Sequence, residues 1–424
     1  MGGEMSEANH RETWQPPPRP DWLRQLNFEG DCMDISGVVP LDEKSLLESA
    51  MRSTGLSYFG SDEWREPFLV FIKALEEEAE LHLMGRLWAR HEILMLLEIR
   101  LTVEDTYTRH PEINDEQIVQ PIIIVGQSRS GTSYLLNVLA ANPDNGATMQ
   151  WEAYFPCPPP EKASYKTDPR VALGHRIVDR WNRVTPTIAG AYEFSGDNPV
   201  EDCQLLGATF LSNSYMDGIG QVPSYDAYLL KQDLVPALQY HQRILKLLQW
   251  KNPRQHWVLK DPMHLDRLTA LLKVYPDACF VWPHRDPVRA VASVVSLIGT
   301  IQWGRSNHPF KGGSFEYVTD PTYSAQRFNA VIDQLDAGVV PAPQMFHPHF
   351  KDVVGNTMGM VEAMYQHFGI PLSAAGRRGI AQYVANHPRD SRPPHKFDAG
   401  SDEVIANARR AYRRYQEYFN IPSE

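Results

Sequence analysis

No stretch of this 424-residue sequence reaches the roughly 18–20 consecutive apolar residues that a membrane-spanning helix needs, so no integral membrane segment is expected. Cysteine is scarce and scattered. Cys32, Cys157, Cys203 and Cys279 form no CxxC pair and no Cys/His cluster, which argues against a zinc site, a bound metal or a disulfide framework. A reducing, cytoplasmic location fits that usage. Positive charge is also in short supply: the formal net charge of −11 leaves no general basic face for nucleic acid or an anionic membrane. Any anionic ligand must therefore be held by local cations. The first residues, MGGEMSEANHRETWQPPPRPDW, lack the apolar run of a signal peptide, and residues 1–40 are expected to be a poorly ordered polar tail.

What is present is an ordinary globular balance, 42% hydrophobic and 22% charged. Residues 41–53 have helical spacing. From Pro67 to Leu101 apolar residues such as Phe68, Phe71, Ile72, Leu75, Leu83, Leu87, Leu94, Leu97 and Leu101 recur at three- and four-residue steps. A helical N-terminal subdomain over 41–118 is expected, its apolar stripe serving as core. At Pro121 the pattern changes to PIIIVG, the continuous β-branched run of a covered parallel strand. HWVLK (256–260) and ACFVWP (278–283) read the same way, with the amphipathic stretch 264–275 between them. Strand, helix and strand make a right-handed βαβ unit, so 119–424 is expected to be an α/β domain. Its fold class is a P-loop-like central parallel sheet flanked by helices, with a helical C-terminal part over 352–368 and 401–419.

The chemistry starts after the first strand. In PIIIVGQSRSGTSYLL (121–136), Gly126 and Gly131 have the GxxxxG spacing that lets backbone N–H groups face phosphate oxygens. Gln127, Ser128, Arg129 and Ser130 fill the loop; Thr132 and Ser133 open a helix whose N-terminus favours an anion. A nucleotide triphosphatase would carry Lys after the second glycine. Here Thr132 stands there, and the cation is Arg129, inside the loop. Phosphoryl transfer from ATP is the weaker reading. Arg285 follows the strand ACFVWP and Ser293 comes eight residues later on the ensuing helix, two donors near one crevice edge. Lys260 ends the strand HWVLK, at the sheet edge where open α/β folds bind ligands.

These segments resemble the 3′-phosphoadenylyl-sulfate (PAPS)-dependent sulfotransferases, in particular the bacterial family related to tyrosylprotein sulfotransferases. The matches run in order from STGLSYFG near residue 53 through HPEI at 110, WE and PPP at 151–160, LKDPMHL and PDACFVWPHRDP to the C-terminal helices. The resemblance implies PAPS as donor, with the loop 127–133 on the 5′-phosphosulfate and Arg285 with Ser293 on the 3′-phosphate. It implies Glu152, in QWEAYFPCPPP, as general base, and Arg129 with Lys260 as the cations that offset charge on the departing phosphate. Lys396, with His395 and Phe397, falls where relatives carry a basic and aromatic segment over the nucleotide. Relatives often have a further cation one turn after the serine. Here that position is Leu297, which leaves Arg389, Arg392 or Lys396 to supply the contact.

Several readings stay open at this level. His264 and His284 compete with Glu152 for the base, and the role of Glu201 and Asp202 is not derivable; either can cap the helix that follows. Trp151, Tyr154, Phe155, Phe210, Tyr215, Tyr225 and Trp303 line an acceptor pocket or belong to the core. The acceptor is a hydroxyl or amine of a small molecule or lipid, and a homo-oligomer is compatible with the sequence. The alternatives are an ATP-dependent small-molecule kinase and a catalytically silent nucleotide-binding protein that kept the fold.

Overall fold

The computed structural model describes residue 11 and residues 14–190, 195–310, 314–388 and 400–424. Its centre is a five-stranded parallel sheet: β1 (Ile122–Ile124), β2 (Asn145–Gly146), β3 (His256–Lys260), β4 (Cys279–Val281) and β5 (Met345–Phe346). The strand order is β2-β3-β1-β4-β5. From β1 the neighbours lie on opposite sides, β3 on one and β4 on the other, in the registers Ile124↔Lys260 and Ile124↔Val281. Such a reversal opens a crevice at the carboxyl ends of the strands, where open α/β sheets bind ligands. The loops after β1, β3 and β4 meet there.

Both faces of the sheet are covered, which is why its strands are runs of apolar residues without alternation. Ile122, Ile124 and Val258 pack on one face with Leu135 and Leu139 of the helix Thr132–Ala140. Ile123 and Leu259 face the other way, into a core shared with Phe68, Phe71, Leu97 and Leu101 of the N-terminal helices. Full burial of each such side chain contributes about 1.5–3 kcal/mol.

The helical stretches expected at 41–53 and at the C-terminal end form as Glu43–Thr54, Thr357–His367 and Asp402–Ala411, with shorter helices beside them. Asp42 caps the first by accepting from Ser45 N at 3.0 Å, and Gly55 ends it at φ 71°. The run read as one helix from Pro67 to Leu101 is two, Arg65–Glu78 and Leu83–Arg109. The break has a local cause. His82 Nδ1 accepts from Gly85 N at 3.0 Å as a side-chain cap, and Leu81 bridges to Ser306 across the fold. Periodicity alone does not register a cap inside a continuous apolar pattern. Within the segment read as a tail, Asp21–Asp31 is a helix that buries Leu23. The strands β2 and β5 are two residues each, too short for a periodic signal.

Candidate active site

The phosphate loop owes its shape to three left-handed residues. Gly126 (φ 110°), Arg129 (φ 72°) and Gly131 (φ 91°) turn the chain from β1 into the helix Thr132–Ala140. At Gly126 the freedom is also steric, because a Cβ there would lie 2.6 Å from Trp282 Cδ1. Ser130 Oγ donates to Gln127 O at 2.6 Å and closes the loop on itself. The first N–H groups of a helix have no acceptors within it, so the Thr132 end offers donors and a positive dipole to an anion. Arg129 is not a glycine, and its left-handed backbone costs energy that the surrounding packing must hold.

The loop is tied to the next strand's connection by two hydrogen bonds. Arg129 Nε donates to Ser293 Oγ at 2.9 Å. Arg285 Nη1 donates to Arg129 O, also at 2.9 Å. Arg129, Arg285 and Ser293, far apart in sequence, therefore form one cationic cluster between the ends of β1 and β4. Ser293 sits on the helix Pro287–Trp303, which starts at Asp286; Asp286 caps it through Val288 N at 3.0 Å. Arg285 lies over the Phe350 ring, with its guanidinium carbon 4.2 Å from the centroid, and also holds the Glu424 carboxylate at 2.9 Å. Neither partner was visible from sequence spacing. Leu297, one turn beyond Ser293, packs instead with Trp88 and Trp181. Lys396, with Arg389, Arg392, His395 and Phe397, lies outside the described residues.

On the other side of β1, Lys260 is 1% exposed and ion-paired to Glu201. The segment carrying Glu201 lies along the sheet edge: Val200 N donates to Thr148 O at 2.9 Å and Asp202 N to Lys260 O at 2.8 Å. Asp202 is engaged elsewhere, on His264 Nε2 at 2.9 Å and near His241 Nε2 at 3.7 Å. Burial opposes its ionisation, but the two imidazoles outweigh burial and hold the carboxyl below its ordinary range. Asp202 and His264 thus form a buried polar unit beneath the site. His284 is likewise committed: its Nδ1 pairs with Tyr415 OH and its Nε2 with His347 Nδ1, each at 2.9 Å. Burial and the neighbouring His347 and His349 push its pKa well below the usual value, which keeps it neutral.

Glu152 is buried at the edge of the sheet and engaged by its neighbours. Its side chain is 0% exposed, and Oε2 accepts from Met149 N at 2.9 Å at the start of the helix Gln150–Tyr154. Arg254 Nη2 stands 3.6 Å from Oε1, and Arg254 lies over Tyr165 and along Gly146 of the edge strand β2. Burial raises the Glu152 pKa despite Arg254. Its polar contacts run to the edge of the sheet, while Glu201 is the carboxylate that touches Lys260.

Of the aromatics weighed for an acceptor pocket, Trp151, Tyr154, Phe210 and Tyr225 are core residues, and Trp303 stacks under Arg19 at 3.5 Å. The space beside the site is elsewhere. A cavity of about 560 Å³ is lined by Leu229, Leu234, Met263, Tyr317 and Val331 among others, with Leu230, 77% exposed, at its rim. Met263 belongs to the segment that follows Lys260. Arg327 forms part of the wall and also borders a narrow cleft against Gln127 and Ser128 of the phosphate loop. It is fixed there by Asp266 Oδ2 at 2.5 Å and Tyr317 O at 2.7 Å.

A parallel sheet whose central strand feeds an anion loop, with arginine inside the loop and a lysine on the neighbouring strand, defines a P-loop-like transferase. The chain belongs to the sulfotransferase family, whose sequence model matches residues 121–374. It is 24% identical over 285 residues to the omega-hydroxy-beta-dihydromenaquinone-9 sulfotransferase Stf3 of Mycobacterium bovis and of Mycobacterium tuberculosis, covering 63% of this chain and 67% of theirs. Among solved structures it is similar to sulfotransferase STF9 from Mycobacterium avium, with a TM-score of 0.75 and 25% identity over 90% of this chain and 97% of that one. Sulfotransferase STF1 from Mycobacterium tuberculosis gives a TM-score of 0.70 and 25% identity over 88% and 98%. Among the described residues, no helix is long and apolar enough to cross a membrane.

Proposed function

We propose that this sulfotransferase moves the sulfuryl group of PAPS to a hydroxyl on an apolar small molecule or lipid. The observation that carries the donor assignment is the Arg129–Ser293–Arg285 cluster, which joins the phosphate loop to a second cationic point at the carboxyl end of β4. A donor with phosphate at both ends of its ribose needs two such points. The 5′-phosphosulfate lies on the loop 127–133 and the helix N-terminus, and the 3′-phosphate on Arg285 and Ser293. Arg129 and Lys260 offset the charge that develops as the bond to the departing phosphate breaks; removing one such donor costs on the order of 2.7–4 kcal/mol in comparable sites.

The acceptor class rests on the cavity of about 560 Å³ and its largely apolar lining. The mycobacterial relatives named for a menaquinone acceptor favour the same class. Isothermal titration tests the donor: adenosine 3′,5′-bisphosphate binds at least tenfold more tightly than ADP without added metal. Equal affinities refute the PAPS assignment. Transfer of labelled sulfate from PAPS into a lipid and phenol extract then identifies the acceptor.

A further inference from the structure

A second cavity, of about 200 Å³, shares no lining residue with the phosphate loop or with the larger apolar cavity. It sits where the N-terminal helices meet the helix Val235–Trp250, and its wall includes Trp64, Arg100, Leu211, Ala237, Tyr240 and Arg243. Arg100 is 3% exposed, and among the described residues its hydrogen bonds all go to backbone carbonyls. Nε and Nη2 donate to Phe59 O at 3.1 and 2.9 Å, and Nη1 donates to Ala208 O at 3.0 Å. The two carboxylates that act on it through space are engaged elsewhere. Glu104 holds Arg243 Nη1 and Nη2 at 2.9 and 3.1 Å, and Glu63 takes the hydroxyl of Ser61. The Arg100 guanidinium carbon stands 4.5 Å from the ring centroid of Tyr240 and 5.1 Å from that of Trp64. Each of those rings carries a buried polar atom, Tyr240 OH and Trp64 Nε1, that has no protein hydrogen-bond partner. Burying a donor without a partner is costly.

We propose that this cavity binds a small organic carboxylate, its oxygens on Arg100, Trp64 Nε1 and Tyr240 OH and its carbon skeleton against Leu211 and Ala237. The donors decide the class. A guanidinium and an indole N–H can only donate, and burial keeps the Tyr240 phenol protonated, so the ligand must bring acceptors. It must also bring negative charge, because Arg100 is a buried cation whose own contacts are neutral carbonyls. The apolar part of the wall favours a carbon skeleton over a bare inorganic anion. The cavity also adjoins the catalytic half of the molecule. Arg100 holds Ala208 O, and Ala208 directly follows the helix Cys203–Gly207; Asp202, just before that helix, donates its N–H to Lys260 O at 2.8 Å. A ligand on Arg100 therefore braces the segment that runs to the end of β3.

Benzoate is the probe, with benzamide as its neutral isostere, benzylamine as a cation and inorganic sulfate as an anion without carbon. The full chain is titrated by isothermal calorimetry and followed by thermal unfolding, alone and with saturating adenosine 3′,5′-bisphosphate. One benzoate is expected to bind with a Kd of about 1 mM or tighter, at least about tenfold better than the other three, and to raise Tm as its concentration rises. The bisphosphate changes that Kd by less than about twofold, as for independent sites. Tyr240→Phe removes a hydroxyl that has no protein partner, so it leaves Tm without benzoate within about a degree while weakening benzoate at least about tenfold. Trp64→Phe weakens it likewise; should that variant not fold, Tyr240→Phe decides alone. No saturable binding up to about 10 mM benzoate leaves the cavity to water and overturns the proposal. So do benzamide or sulfate binding as well as benzoate, parent-like affinity in Tyr240→Phe, or competition from the bisphosphate, which would put benzoate in the donor crevice. A chain that takes benzoate but not the bisphosphate keeps this site and refutes the PAPS reading instead.

Discussion

Arg285 holds the carboxylate of Glu424 between its Nε and Nη2 at 3.1 and 2.9 Å, and Glu424 N in turn donates to Asp286 Oδ2 at 2.7 Å. A carboxylate thus sits on the guanidinium assigned to the 3′-phosphate. The pair is partly exposed, so its own contribution is modest, about 0–1 kcal/mol. On the proposed donor assignment the nucleotide displaces this carboxylate, and Glu424→Gln is expected to tighten adenosine 3′,5′-bisphosphate binding by up to about fivefold in isothermal titration. Arg285→Ala is expected to weaken the same binding by more than tenfold. Unchanged affinity in both variants would remove Arg285 from the donor site.

Gly126 tests the loop's construction separately from its chemistry. Alanine there meets the Trp282 ring at 2.6 Å and must also adopt φ 110°. Trp282 cannot withdraw, because it is 0% exposed and stacks on Tyr415 with 5.8 Å between centroids. Overpacking of this kind costs about 1–3 kcal/mol. Gly126→Ala is expected to lower Tm by several degrees and to weaken bisphosphate binding, whereas Ser128→Ala, on the same loop, leaves Tm within a degree.

Two buried histidines, His82 and His284, lower the acid stability. His82 is pushed down to about 3, chiefly by burial, and His284 lies well below its ordinary value for the same reason. Their folded pKa values are lower than the unfolded value near 6.5, so the unfolded chain binds more protons. Stability is fully present above about pH 6.5 and is lost as pH falls toward the folded values. Asp226, raised to about 6 by burial, acts in the opposite direction, and so do Asp217, Glu152 and Glu201, which burial also raises. The histidines remove stability as pH falls from 7 to 5 while the raised carboxyls restore it, so each share is read from single variants by thermal unfolding across that range. His82→Asn, which can keep the cap on Gly85 N, flattens the slope; Asp226→Asn steepens it.

The parts of the site that were legible in the sequence are those that backbone geometry dictates. The glycines at 126 and 131 announce a turn that other residues resist, and β-branched runs announce covered strands. Lys260 and Arg285 follow such strands directly, so the crevice edge could be assigned to them. Carboxylates were harder to place, because their roles depend on which neighbour claims them. Glu152 accepts from Met149 N at the start of its own helix and faces Arg254, which approaches from the opposite end of β3. Glu201 reaches Lys260 across a 59-residue separation with no spacing rule to reveal it. The aromatics followed the same logic. Trp151 and Phe210 are core residues, while the residues that border open space, such as Leu230 and Val331, carry no motif at all.

That cavity is where acceptor specificity can be tested apart from the donor. Ala330 and Ala227 both line it, on the helices Pro321–Asp336 and Pro223–Leu229, and neither belongs to the phosphate loop or its ties. An indole at Ala330 would fill a large share of the space that an apolar acceptor needs, without approaching Arg285 or Ser293. Ala330→Trp is therefore expected to raise KM for an apolar acceptor at least tenfold, equivalent to about 1.4 kcal/mol or more, while the Kd for adenosine 3′,5′-bisphosphate changes less than twofold. Arg327→Met acts on the wall between cavity and loop: it breaks the pair with Asp266 and widens the route toward Gln127 and Ser128. If the acceptor enters from this side, Arg327→Met alters KM and kcat together. A KM that ignores both substitutions would place the acceptor on another face of the crevice.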